Sequence, residues 1–320
     1  MSIWFPGFQR RHTIFVVGLL TLALAVSAFV PSPPLALQLT ILGIAVVVFG
    51  LPHGALDLAL VQGVSRGSWT ALTGAVAVYL VVSGAVLVAW ITAPIATLFA
   101  FLAIAVIHFG SGDTEDLRGA QRAVEVVARG GFAGIAPLAF HPQTTRDLFA
   151  LLVGPSSIAS LDGALALVAP PATWLWITCL AVAVIWRVLQ RAPGWLLAVA
   201  ELSLTAALFA VFHPLAAFLL YFCFVHSVRH IADLGAARFP DSVSRARRWL
   251  LLESLPFTAT TVMLGAIAWI FFARSTDFDA AMMRVIFWGL SALTLPHMIL
   301  TAWWHARGAP QPGNLFARHI

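Results

Sequence analysis

The sequence predicts an all-α fold, a polytopic transmembrane helical bundle of about ten helices. Three observations predict it. Hydrophobic residues make up 61% of the chain, with a mean hydropathy of +0.94. Charged residues make up 10%, against about 25% in soluble domains. The apolar residues also fall in long continuous runs, each near the ~20 residues that cross a bilayer as a helix. A transmembrane barrel would instead alternate over segments of about ten residues. No long polar stretch offers a separate soluble domain, so residues 1–320 read as a single integral membrane domain.

The runs come in order. Thr13–Val30 is the first span, closed by Pro31, Pro33 and Pro34. Arg10 and Arg11 precede it, and without a convincing small-residue cleavage site it reads as a retained helix and not a signal peptide. Leu35–Val61, Trp69–Ile91 and Ile95–Ser111 follow. Ala120–Phe140 is weaker, being interrupted by Arg129 and glycines. Residues His141–Pro171 read as a loop with a short interfacial helix at Arg146–Val153. Thr173–Leu189, Trp195–Phe212, Pro214–Leu234, Leu250–Phe272 and Met282–Trp304 complete the set.

Every one of the 18 basic residues is arginine. With a cytoplasmic N-terminus, most arginines outside the spans lie on the cytoplasmic side, and only Arg146, Arg274 and Arg284 lie outside. That asymmetry predicts an even helix count with both termini in the cytoplasm. The high isoelectric point then reflects juxtamembrane arginines and not a nucleic-acid surface. Cys179 and Cys223 fall inside apolar runs and read as packed thiols, not as a disulfide.

The stretch Ala217–Leu234, AFLLYFCFVHSVRHIADL, is apolar enough for a bilayer yet carries His226, Arg229, His230 and Asp233. Residues four apart share a helix face, so His226 and His230 point the same way from adjacent turns. Ionisable groups at membrane depth mark functional sites. In the predicted orientation His53, His108, His226, His230 and His297 sit on four spans that run from outside to inside, each past the middle. They share a depth, as one intramembrane site needs. Imidazoles without cysteine suit iron, copper or zinc. Asp57, Asp113 and Asp233 follow these histidines closely and are placed either as their hydrogen-bond partners or as solvated interfacial groups. Tyr221 is a further candidate polar group, and Pro52 and Pro296 would kink the helices just before His53 and His297. His12, His141, His213, His305 and His319 read as helix-end, interfacial or tail residues.

The ordered set Gly50-Leu51-Pro52-His53-Gly54-Ala55-Leu56-Asp57, His108-Phe109-Gly110, His226-Ser227-Val228-Arg229-His230 and Leu295-Pro296-His297 resembles the Brp/Blh family of membrane β-carotene 15,15′-dioxygenases. The resemblance spans about Leu35 to Trp304. It implies cleavage of the central double bond of β-carotene by O2 to two all-trans-retinal, in the inner membrane, with the product passed to a microbial rhodopsin. It implies non-haem Fe(2+) held by His53, His108, His226 and His230, with His297 completing the site or orienting oxygen or substrate. The alternative is a haem- or metal-binding membrane electron-transfer protein. Two histidines on one helix suit a compact non-haem centre better than a haem sandwich. A transporter would show an inverted repeat with paired broken helices, and a membrane zinc hydrolase a glutamate beside its ligands; neither pattern is present.

Overall fold

The computed structural model describes residues 8–55, 69–114, 117–239 and 242–306. Among them every regular element is helical. Among the described residues seven helices are long and apolar enough to cross a membrane, and Leu35–Gly50 and Trp195–Val211 are shorter apolar helices. This is a multi-pass, all-α membrane protein.

The chain falls into two compact units, Met1–Leu42 with Pro94–His226, and Gly43–Ala93 with Ser227–Ile320. The first holds α1 (Phe8–Ser27), the start of α2 (Leu35–Ala45), α5 (Pro94–Gly112), α6 (Gly119–Gly134), α7 (Ala136–Phe140), α8 (Pro142–Val153), α9 (Ile158–Gln190), α10 (Trp195–Val211) and α11 (Pro214–Leu219). A π-helical segment, Leu220–Ser227, continues α11.

The core of this unit is the α5–α6 pair, with α9 and α10 packed on α6 and α10 also on α1. Glycine sets the α5–α6 approach. A Cβ at Gly110 would lie 2.7 Å from the Val126 carbonyl carbon, and one at Gly130 2.7 Å from that of Val106. Real Cβ atoms do not come so near, so the two backbones touch directly, in the manner of small-residue contacts between membrane helices. Gly131 likewise admits the Trp176 indole, whose N–H donates to the Ala128 carbonyl at 2.9 Å.

Charge ties α6 to α9 and α10. Glu125 is fully buried. Its carboxylate accepts from Arg187 Nε at 2.6 Å and Nη2 at 2.9 Å, from Arg129 Nε at 3.2 Å and from Gln121 at 3.2 Å. Arg129 Nη1 also donates to Glu201 at 2.9 Å. Two carboxylates thus balance two guanidiniums, which is what lets such groups sit away from water. Arg187, near the end of the expected span Thr173–Leu189, is a partner of Glu125.

The expected loop over His141–Pro171 is mostly helix. The short helix is present as Pro142–Val153, and α9 then begins at Ile158 and runs through Pro170 and Pro171. The prolines remove two helix hydrogen bonds on a face that is largely exposed around residues 166–168. At 1.5 Å per residue α9 is about 50 Å long, well beyond a ~30 Å hydrocarbon core. Its first turns fasten to α8, where Arg146 makes a bidentate pair with Asp162 at 2.8 and 2.9 Å.

The second unit holds a π segment, Val46–Gly50, then α3 (Leu51–Ala55), α4 (Trp69–Thr92), α12 (Val228–Arg238), α13 (Val243–Phe272) and α14 (Phe278–Ala306). α3 packs on α13 and α4 on α14. Trp90 stacks on Trp288 at 5.4 Å and donates to Ser291 Oγ at 2.7 Å. Tyr79 donates to the Leu293 carbonyl at 3.2 Å. α13 begins seven residues before its expected start because Ser242 caps it, accepting from the Arg245 amide at 3.3 Å.

Candidate metal centre

In the first unit, α5 delivers His108 and Phe109 in its last turns. The Asp113 amide still bonds to the Phe109 carbonyl at 3.1 Å, so the helical turn carries on to Asp113. The π segment Leu220–Ser227 brings Tyr221 and His226 against this end. π turns change which side chains face a neighbour and recur at functional sites.

The rings of His108 and His226 lie 5.3 Å apart, inclined at 67°. His226 is 2% exposed. Its Nδ1 is 3.6 Å from Asp113 Oδ1, a close electrostatic contact just beyond hydrogen-bond length. The sequence paired Asp113 with His108; the structure sets its carboxylate against His226. Tyr221, 2% exposed, donates to the Arg129 carbonyl at 3.0 Å, with Asp113 Oδ2 at 3.3 Å. The phenol has one proton, and the carbonyl is the nearer acceptor. The remaining wall is aromatic. The Phe109 ring stands edge-on to His226 at 4.5 Å, and Phe132 and Phe209 flank Tyr221 at 5.8 and 6.0 Å.

The second unit brings together His230 on α12 and His297 on α14, with ring centres 6.2 Å apart. His297 is buried and follows Pro296 inside α14. His53 lies in α3, directly after the π segment Val46–Gly50, where the Leu51 amide reaches back five residues to the Val46 carbonyl. Its side chain lies outside the described residues, as do the Asp233 side chain and the whole of Asp57. Among the described residues no three His, Cys, Asp or Glu gather as a metal site. What is described is two histidine pairs, one in each unit.

The first pair fits a metal. A metal–imidazole bond of about 2.1 Å, with the ring centre roughly 1.1 Å beyond the nitrogen, puts two ligands of one ion about 4.5–5.3 Å apart at right to tetrahedral angles. The 5.3 Å between His108 and His226 lies at the wide end of that range. The 6.2 Å of the second pair suits ligands more nearly opposite each other. A carboxylate behind a buried imidazole is the usual support of a ligating histidine.

Three supports of the first pair escaped sequence reading. The π segment Leu220–Ser227 carries no propensity signal. The Glu125–Arg129 contact was legible as an i, i+4 pair. His12, expected at an interface, is 5% exposed, and its Nε2 lies 3.1 Å from the Phe224 carbonyl.

Residues 44–305 match the family model of beta-carotene 15,15′-dioxygenase. The chain belongs to this family. It is 33% identical over 289 residues to a probable beta-carotene 15,15′-dioxygenase Blh of Halobacterium salinarum, covering 80% of this chain and 81% of that one. It is 28% identical over 269 residues to a beta-carotene 15,15′-dioxygenase from an uncultured marine bacterium, 66A03, covering 80% of this chain and 90% of the relative. No solved structure matches it. His53, His108, His226, His230 and His297 all fall inside the matched residues, and His12 does not.

Proposed function

We propose that this protein is a membrane β-carotene 15,15′-dioxygenase that converts β-carotene and O2 into two all-trans-retinal. Fe(2+) held by His53, His108, His226 and His230 is its cofactor, and His297 orients oxygen or substrate or completes the site. Family membership supports the reaction. The observation that carries the site is the pairing of His108 with the buried His226, with the Asp113 carboxylate behind His226.

Bound iron supplies the activation of O2 that a closed-shell polyene needs. The chain's residues do the rest. Asp113, facing His226 Nδ1, favours the proton on that nitrogen and so puts the ring's lone pair on Nε2. Tyr221 bonds to the Arg129 carbonyl and sits between α6 and Asp113, which limits the room that carboxylate has to swing. Phe109, Phe132, Phe209 and Phe222, all buried, keep water from the imidazoles. β-Carotene is lipid-soluble, so it reaches a site at bilayer depth sideways from the membrane. Its chain holds several chemically similar double bonds, so the length of an apolar channel selects the central one. The protein lies in the inner membrane with both termini cytoplasmic, as the arginine asymmetry indicates, and its retinal goes to a microbial rhodopsin.

The test is direct. Purified protein in detergent is assayed for bound iron and for retinal formed from β-carotene. His108→Ala and His226→Ala are each expected to lose most iron and retinal formation together. Full iron and full activity in either variant would strike that residue from the ligand set. A Soret band in the purified protein would replace the reading with a haem carrier.

A further inference from the structure

α1 lies outside the residues that match the family model, and it meets the first unit by one narrow stripe. His12, Val16 and Leu20 are its buried residues, 5%, 0% and 0% exposed, spaced four apart. Arg10, Arg11, Ile14, Phe15 and Leu22 around them are exposed. Packing alone would be served by an apolar residue at each stripe position. A buried imidazole costs free energy unless it is hydrogen-bonded. His12 is hydrogen-bonded to a backbone atom: Nε2 is 3.1 Å from the Phe224 carbonyl. The carbonyl can only accept, so Nε2 donates.

Phe224 sits inside the π segment Leu220–Ser227, two residues before His226. A π turn carries one residue more than the α ladder and is seldom stable by itself. Relaxation to an α turn would rotate the side chains on one side of it by about 100°. Such a rotation would take His226 from its place beside His108 and Asp113.

We propose that His12 is a positioning residue. Its bond to the Phe224 carbonyl pins the π register of Leu220–Ser227 and so fixes the direction of His226. α1 is then a brace for the candidate metal centre and not only a membrane anchor. The link to metal binding rests on the reading of His226 as a ligand; the link to the π register does not.

The experiment uses full-length protein in nanodiscs, stripped of metal, with two readouts. One is Co(2+) affinity, followed by the visible bands of the bound ion. The other is amide hydrogen exchange over residues 220–227. His12→Leu keeps the packed stripe without the donor. It should weaken Co(2+) binding about tenfold or more and speed exchange across 220–227. His12→Gln restores a donor of similar reach and should return both readouts toward wild type. Val16→Ala loosens the stripe and leaves the bond, and should change neither. If His12→Leu does not accumulate, His12→Asn, whose amide is too short to reach Phe224, replaces it with the same expectation. Wild-type exchange and affinity in the donor-less variant overturn the proposal, as do equal losses in His12→Leu and His12→Gln. His226→Ala separates the two readings. If it binds Co(2+) like wild type, His226 is no ligand, and the exchange data alone decide the role of His12.

Discussion

Replacing Glu125 by alanine removes a carboxylate that bonds to both Arg187 and Arg129 in the buried charge cluster. Three bonds to guanidinium groups go with it, at 2.6, 2.9 and 3.2 Å, and one to the Gln121 amide at 3.2 Å. Such bonds contribute about 1.5–3 kcal/mol each. Arg129 keeps Glu201 at 2.9 Å, and the Arg187 side chain, 15% exposed, can draw in some water. The loss should therefore fall short of the simple sum, at about 3–5 kcal/mol, the usual cost of leaving a buried charge unpaired. Reversible unfolding of the protein in mild detergent measures it. Glu125→Ala/Arg187→Ala should cost less than its two single changes added together, since the second removes the charge the first strands. Arg146→Ala breaks the exposed pair with Asp162 and is the control, with stability nearly unchanged. A loss below about 1 kcal/mol for Glu125→Ala, the size of a surface pair, would refute the view that this cluster holds α6, α9 and α10 together.

Other outcomes follow from single contacts. Gly130→Ala should destabilise by about 1–3 kcal/mol and lower retinal formation, because α5 and α6 must separate beside His108; Gly84→Ala, with open space around its Cβ, should not. His213 should make stability sensitive to acid. Burial, helped by nearby His141, pushes its imidazole below the ordinary range. Its Nδ1 also accepts from the Leu215 amide at 3.4 Å, which needs the unprotonated ring. Below about pH 6.5 the unfolded chain takes up the proton that the folded chain refuses. Stability is thus complete above that pH and declines as pH drops beneath it. His213→Asn retains a cap and cannot titrate, so its melting temperature between pH 5 and 7 should change less than that of wild type.

Much of the architecture was legible because a bilayer permits so few solutions. Each expected span has helix within it among the described residues, with residues 56–61 of Leu35–Val61 lying outside them; Thr173–Leu189 is the second half of a helix that starts at Ile158, Leu250–Phe272 starts at Val243, and Ala120–Phe140 appears as two helices either side of Ile135. What hydropathy could not register was whatever polar residues do inside the protein. Ile158–Pro171 mixes Ser160, Asp162, Gly163 and two prolines, yet it is the first part of α9, with Asp162 facing Arg146 of the preceding helix. Arg129 and the glycines made Ala120–Phe140 look weak. They are the reason it packs: Gly130 and Gly134 form a G-x-x-x-G pair, and Arg129 has two carboxylates to answer it. At the candidate metal centre, the histidines were legible from spacing and predicted depth. Their supports were not, because Asp113 to His226 and His12 to Phe224 join residues more than a hundred apart in the chain.

The bare backbone contact between α5 and α6 has a consequence for how the first unit tolerates change. Side chains between helices can swap rotamers and let the helices drift by fractions of an ångström. Val106 and Val126 carbonyls seated on Gly130 and Gly110 form a hard stop with no rotamer to adjust. The height of His108 along its helix partner is thereby indexed to peptide groups. Substitutions elsewhere on these two helices, or a thicker or thinner bilayer, can reshape the lipid-facing surface while that imidazole stays where it is.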